Sequence, residues 1–88
     1  IDDLFYHDCT PADAAAAKAS LTPQPLAPFG TPLTLTAERF GRVPKAYIEC
    51  TDDRAISIEL QRDMIDKTPV VAVRSLPASH SPFLSMPW

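Results

Sequence analysis

The stretch that decides the fold covers residues 45–80, KAYIECTDDRAISIELQRDMIDKTPVVAVRSLPASH. It begins with residues 45–50, whose alternating apolar side chains predict a strand. A polar loop follows, and then a predicted helix over about residues 57–67 with apolar residues on one side. The apolar, β-branched run at residues 70–73 predicts a second strand, of the kind that is buried in a parallel sheet, ending near Leu76.

The order strand, helix, strand predicts an α/β fold with parallel strands joined by a right-handed crossover. Two strands do not form a stable sheet in water, so we expect partner strands from elsewhere. The chain has 88 residues and starts at Ile1 without a methionine. Because so short a chain buries only roughly 60% of its unfolded surface, we expect it to be part of a larger molecule or of a two-chain assembly.

The first half of the sequence has a different texture. Thr10 and Pro11 are suited to the cap and first position of a helix, which we predict over about residues 11–20. Residues 21–44 contain five prolines and two glycines, which exclude a long helix, and they are also rich in apolar side chains. This pattern predicts an irregular segment packed over a core, such as a cap or lid, with short extended stretches near residues 32–36.

Charge and composition exclude several function classes. The net charge is −3, and the lysines and arginines are scattered, whereas nucleic-acid binding proteins usually carry a clustered basic surface. No window approaches the roughly 20 consecutive apolar residues needed to cross a bilayer. Cys9 and Cys50 lack the spacing of a redox or zinc motif and are predicted to be free thiols. We find no metal-ligand cluster, phosphate-binding loop or cofactor motif, and we predict no metal and no cofactor.

Two residues that follow the predicted strands carry the chemistry. Asp53 follows the first strand and His80 the second, and the carboxyl ends of parallel strands share one rim, where ligands bind. An acid there can hold one imidazole nitrogen while the other accepts a proton from a nucleophile. The pattern alone leaves open that Asp53 is a turn residue or that Asp52 is the acid. His7 has no evident acidic partner beyond Asp8, and we interpret it as a surface or cap-lining residue.

Four stretches of the chain resemble one family. Residues 47–56 (YIECTDDRAI), 61–64 (QRDM) and 79–85 (SHSPFLS) resemble the C-terminal region of the α/β-hydrolases that include plant methylesterases, salicylic-acid-binding esterases, hydroxynitrile lyases and bacterial esterases. Residues 4–13 (LFYHDCTPAD) resemble the segment that ends the cap of that family. The resemblance implies a C-terminal fragment of the α/β-hydrolase fold, namely the last parallel strands and helices of the sheet plus part of the cap.

The resemblance also implies boundaries and roles. Residues 1–44 would be the end of the cap and its connection, and residues 45–88 the C-terminal part of the core. The family's acid is the third residue of the pattern Thr-x-Asp-(Arg or Lys)-x-Ile, which points to Asp53 rather than Asp52, and its histidine corresponds to His80. The nucleophilic serine belongs to a Gly-x-Ser-x-Gly turn that these residues lack. We therefore expect the N-terminal part of the same hydrolase as a partner, and we expect this chain alone to be inactive.

The residue after the histidine separates activities within the family. Hydroxynitrile lyases of this group carry a lysine there, whereas this chain has the neutral Ser81. The resemblance thus implies serine-dependent hydrolysis of a small carboxylic ester rather than cyanohydrin cleavage. A non-catalytic small-molecule-binding relative remains the alternative, and the presence or absence of the nucleophile would decide between them. Apolar residues that could line the substrate pocket, or simply pack cap on core, are Phe5, Leu26, Phe29 and Leu33.

Overall fold

Two parallel strands form the sheet of the computed structural model, which describes residues 1–88. Strand β1 is Ala46–Cys50 and strand β2 is Ala72–Leu76, and they pair in register from Ala46 opposite Ala72 to Cys50 opposite Leu76. The predicted α/β architecture is confirmed. Strand β2 starts and ends later than the apolar run at 70–73. Its hydrogen bonds to β1 continue through the polar residues Arg74 and Ser75, which lie outside that run.

The helix between the strands is α4, Ile58–Lys67. It begins where the Ser57 hydroxyl accepts a hydrogen bond from the Leu60 N–H, 3.2 Å away. It ends at Lys67, and its C-cap residue Thr68 stands directly before a proline that cannot continue the helix. Helix α4 packs on β1 and forms the connection between the two strands.

The remaining helices are short except for α2, Pro11–Ala19, which confirms the predicted helix. Its first turn is capped by Thr10, whose hydroxyl accepts a hydrogen bond from the Asp13 N–H at 3.2 Å. No strand forms over residues 32–36. The other short elements are α1 (Asp2–Phe5), α3 (Ala27–Gly30), a 3₁₀ turn (Phe40–Arg42) and α5 (Pro82–Ser85).

The interior is small for the length of the chain. Seven of the 88 residues are buried. The radius of gyration is 15.2 Å, whereas a globular domain of this length would have about 12 Å. The strands keep apolar side chains in solvent, with Ile48 at 57% and Val73 at 37% exposure. This exposure matches the expectation that further strands are needed to cover the sheet.

The segment 21–44 is exposed at every residue. Its predicted packing over a core is therefore not made within this chain, and its assignment to a cap stays a prediction about a larger molecule. Both cysteines are free thiols, as predicted, although only Cys50 is buried. No helix has the length and apolar character needed to span a membrane.

Candidate active site

Asp53 and His80 meet at the carboxyl ends of β1 and β2. The Nδ1 atom of His80 donates a hydrogen bond to Oδ2 of Asp53, and the two atoms are 2.9 Å apart. The Asp53 side chain is 6% exposed and that of His80 is 33% exposed, so the acid is covered while the ring reaches solvent. The bond to the carboxylate fixes the proton on Nδ1 and leaves Nε2 as the ring nitrogen able to accept a proton.

The second oxygen of Asp53 is held by its own loop. Oδ1 accepts hydrogen bonds from the backbone N–H groups of Ala55, at 2.8 Å, and Ile56, at 2.9 Å. Burial raises the pKa of Asp53, but the hydrogen bonds from Ile56, His80 and Ala55 together outweigh it and hold the pKa below its ordinary value of 3.8. Asp53 is therefore an anion at neutral pH.

Gln61 of α4 ties the ends of the acid loop (residues 51–55) together. Its Oε1 accepts from the Cys50 N–H, and its Nε2 donates to the carbonyl oxygens of Cys50 and Ile56, each over 2.9 Å. The side chain is 2% exposed and fully bonded. The sequence analysis missed this role. The available signal was its helical spacing between Ile58 and Ile65, which places a polar residue on the packing face of α4.

Backbone bonds join the acid loop to the histidine loop (residues 77–81). The Thr51 N–H donates to the Leu76 carbonyl and the Asp52 N–H to the Ala78 carbonyl, each with a nitrogen–oxygen distance of 3.0 Å. These bonds continue the parallel ladder past the strands, which brings both loops to the rim predicted from the topology. Asp52 takes part through its backbone, and its exposed carboxylate makes no hydrogen bond within the chain.

His7 is half-buried at the surface of this chain, so its interpretation as a surface residue is not contradicted, and its place against a cap stays a prediction. Its Nε2 donates to the carbonyl oxygen of Asp52 over 2.7 Å, so it binds the acid loop. The turn after α1 brings the chain back to the rim, which no local pattern reveals because the partners are 45 positions apart. The sequence analysis also missed Asp8, whose carboxylate accepts hydrogen bonds from the backbone N–H and hydroxyl of Ser79.

A pocket of about 280 Å³ opens beside the imidazole. The ring of Phe5 lies with its centroid 5.0 Å from that of His80, at an interplanar angle of 58°. Phe83 also lines this pocket and is 71% exposed, a position that was not predicted from the sequence. The short helix α5 starts directly after the histidine loop and holds it there. The lining residues are Phe5, Tyr6, Leu21, His80, Ser81 and Phe83.

The other three predicted pocket residues lie elsewhere. Leu26, Phe29 and Leu33 are 83%, 74% and 82% exposed, and none lines the pocket beside His80. They belong to the exposed segment 21–44, which has no core beneath it in this chain. Their place in a substrate pocket stays a prediction for the complete protein. No group of three or more histidine, cysteine, aspartate or glutamate side chains is arranged to hold a metal ion.

Comparison with known proteins identifies several relatives of this chain. The chain is 40% identical over 86 residues to a pyrethroid hydrolase of Sphingobium wenxiniae, covering 97% of this chain and 30% of that protein. It is 33% identical over 85 residues to the chloroplastic protein of Arabidopsis thaliana that bears the name methylesterase 14, covering 96% of this chain and 24% of that protein. Salicylic acid-binding protein 2 of Nicotiana tabacum is 38% identical over 88 residues, with 94% and 33% covered.

The fold agrees with these relatives. The solved structure of polyneuridine aldehyde esterase superposes with a TM-score of 0.88 at 25% identity, covering 98% of this chain and 35% of the esterase. No family model matches the sequence. The chain spans about a quarter to a third of the length of these relatives, whose names describe esterases, hydrolases and a salicylic acid-binding protein. The chain is thus part of an α/β-hydrolase, and it corresponds to the C-terminal part of the family that contains the plant methylesterases, salicylic acid-binding protein 2 and the pyrethroid hydrolase.

Proposed function

We propose that this chain supplies the acid and the general base of a serine-dependent hydrolase that cleaves small carboxylic esters. The observation that carries the proposal is the 2.9 Å bond between His80 Nδ1 and Asp53 Oδ2 at one rim of a parallel sheet. A carboxylate in this position holds the imidazole in one tautomer and stabilises the imidazolium formed during the reaction. The names of the relatives, which include esterases and hydrolases, support the same reaction class.

In the proposed mechanism, His80 moves the proton and Asp53 remains ionised throughout. Nε2 of His80 takes the proton of a serine hydroxyl as the serine oxygen attacks the ester carbonyl. The imidazolium then gives this proton to the departing alcohol, which leaves an acyl-serine. Water attacks the acyl group with His80 again acting as base, and the carboxylic acid and free serine are released.

The serine must come from outside these residues. No serine of the chain stands between the glycines of a nucleophile turn, and none donates a hydrogen bond to His80 Nε2. The N-terminal part of the same hydrolase is the proposed source, and the 88-residue chain alone is expected to have no esterase activity. No metal or other cofactor enters this mechanism.

The surroundings of His80 favour ester cleavage and a small, apolar substrate. Phe5 and Phe83 line the pocket of about 280 Å³, and aromatic side chains suit apolar or aromatic ester groups. Ser81, the residue after the histidine, is 3% exposed and neutral. It provides no positive charge to stabilise departing cyanide, which argues against a lyase.

The test uses the complete protein and a chromogenic short-chain ester, 4-nitrophenyl acetate. Replacing the base in His80→Ala should lower kcat by roughly 10⁵-fold or more, because the members of a triad act as a unit. The exposed Asp66→Ala serves as a matched surface control on α4 and should hydrolyse the ester at the wild-type rate. Equal activity of His80→Ala and the control would refute the proposal.

A binding role is the second candidate, because one relative is named a salicylic acid-binding protein. In that case the complete protein would bind a small aromatic acid without turning over any ester. Calorimetry with salicylate, together with the ester assay on the same preparation, separates the two. Salicylate binding without hydrolysis supports the binding role, whereas hydrolysis that depends on His80 supports the esterase.

A further inference from the structure

A turn far from both loops in sequence contacts each of them. Residues 6–8 follow α1 and lie against the rim, where consecutive side chains, His7 and Asp8, reach different loops. His7 binds the residue directly before Asp53, and Asp8 binds the residue directly before His80. This bracketing is independent of the bond between Asp53 and His80 themselves.

Asp8 holds the histidine loop at Ser79. One carboxylate oxygen, Oδ2, accepts from the Ser79 N–H over 2.8 Å, and the other, Oδ1, accepts from the Ser79 hydroxyl. Ser79 is 0% exposed, as is its neighbour Ala78, so this backbone N–H cannot be satisfied by water. The charged acceptor makes these bonds stronger than neutral ones. Burial raises the pKa of Asp8, but hydrogen bonds, of which those from Ser79 are the largest contributors, together lower it by more, and the net pKa lies below its ordinary value of 3.8.

His7 holds the acid loop from the same turn. Its Nε2 donates to the Asp52 carbonyl over 2.7 Å, while the N–H of Asp52 is bonded to the Ala78 carbonyl. The backbone of Asp52 is thus fixed on both sides. Because Asp53 is the next residue, the direction in which its carboxylate leaves the backbone depends on this position.

We propose that His7 and Asp8 are positioning residues that clamp the acid loop and the histidine loop together and so set the alignment of Asp53 with His80. This inference deepens the proposed function and rests on it. The clamp acts through residues 52 and 79 and touches no substrate. Its predicted effect is on kcat, because a displacement of about 1 Å in a catalytic group can lower the rate roughly 100-fold.

The test measures steady-state hydrolysis of 4-nitrophenyl acetate by the complete protein. Asp8→Ala is expected to lower kcat roughly 100-fold, with KM changed by less than about threefold. Asp8→Asn keeps an oxygen for the Ser79 N–H and an amide for the hydroxyl, and it should recover kcat to within roughly tenfold of wild type. Asp2→Ala, which removes an exposed carboxylate of the same segment paired only with Lys18, should behave as wild type.

The second arm uses His7. His7→Leu removes the donor and should lower kcat roughly tenfold, whereas His7→Gln retains a side-chain N–H near the position of Nε2 and should recover most of the loss. Low-field proton NMR at neutral pH provides a readout of alignment. The signal of the His80 Nδ1 proton, present in wild type, should broaden or vanish in Asp8→Ala and His7→Leu and return in the conservative variants.

The outcomes separate the clamp from the proposed function. If His80→Ala retains wild-type activity, the proposed function fails. If His80→Ala is inactive while folded Asp8→Ala and His7→Leu keep both the wild-type kcat and the low-field signal, the clamp alone is overturned. Should Asp8→Ala not fold, Asp8→Asn and His7→Leu decide. A clamp requires His7→Leu to lose kcat and His7→Gln to recover it, and equal kcat in these two variants contradicts it.

Discussion

The acid loop and the histidine loop end at the same rim but are held in different ways. The acid loop is held mainly from nearby: Asp53 bonds Ala55 and Ile56, and Gln61, 11 residues after Cys50, closes the loop from α4. The histidine loop depends on a residue 71 positions away, because Asp8 satisfies Ser79. The geometry of one half of the site is thus local, and that of the other half requires the tertiary fold.

This difference predicts how each loop responds to substitution. Local bonds re-form whenever the strand, loop and helix are in place, since loop closure over so few residues costs little entropy. The bonds of Asp8 form only when the turn after α1 docks on the rim. We therefore expect substitutions that break the bonds of the acid loop to affect folding and catalysis together. Asp8→Ala should lower kcat and also cost stability, because it leaves the buried Ser79 N–H without its acceptor.

After loss of the His80 base itself, the largest expected effect is at Asp53, the residue of the acid loop that bonds His80. Asp53→Asn keeps the shape of the side chain but removes the charge and favours the wrong histidine tautomer, so kcat for 4-nitrophenyl acetate in the complete protein should fall roughly 10⁴-fold. The neighbouring Asp52→Asn is the matched control, because the Asp52 carboxylate is exposed and makes no hydrogen bond. Equal losses in the two variants would show that the acid is not Asp53.

A second prediction breaks the acid loop without touching the acid. Gln61→Ala leaves the Cys50 N–H and the carbonyls of Cys50 and Ile56 without their side-chain partner. We expect the free energy of unfolding of the complete protein to fall by about 3 kcal/mol. Urea denaturation measures this, with the exposed Asp66→Ala on the same helix as control. A loss no greater than that of the control would mean that the loop does not need Gln61.

More of the acid loop than of the histidine loop could be predicted from the sequence. The strand, the loop, the capped helix α4 and Asp53 could be predicted because alternation, capping and order along the chain are local signals. The parallel topology predicts that an acid of this loop and His80 share one rim, whereas the choice of Asp53 over Asp52 rests on the family resemblance. The contacts of His7 and Asp8 could not be predicted, because polar residues in a turn give no indication of a partner 45 or 71 positions away.

Within this chain, the residues that line the pocket beside His80 could be predicted only in part. Phe5 lines it, but Leu26, Phe29 and Leu33 do not, since apolar composition identifies residues that tend to be covered without saying by what. Phe83 was not predicted to line the pocket, because its apolar character gives no indication of the surface it contacts.

A third prediction concerns pH. The pKa of Asp53 is lower in the folded state than its ordinary value of 3.8, so its bonds stabilise the fold fully above that value and are lost as pH falls through the lower folded pKa. The urea midpoint of the complete protein should therefore fall less between pH 7 and pH 3 in Asp53→Asn than in wild type. The same dependence in both proteins would contradict the bonded, ionised Asp53.

The smallest expected effect is a difference in thiol reactivity between the cysteines that neighbour the residues holding the two loops. Cys50 lies at the start of the acid loop and is 8% exposed, whereas Cys9 follows Asp8 and is partly exposed. Burial raises the pKa of both thiols, and the charges of nearby aspartates add to it. Both should react slowly with Ellman's reagent at pH 7, because the thiolate is the reactive form, and Cys9→Ser should remove the faster phase. Removal of the faster phase by Cys50→Ser instead would reverse this order.

The most direct measurement of the central claim is covalent labelling of the complete protein with a fluorophosphonate, followed by intact-mass and peptide analysis. The account predicts one phosphonyl group per chain, attached to a serine outside residues 1–88, with a labelling rate that falls at least roughly 10³-fold in His80→Ala. Labelling that proceeds at the same rate without the His80 imidazole, or no labelling in a wild-type protein that hydrolyses esters, would contradict it.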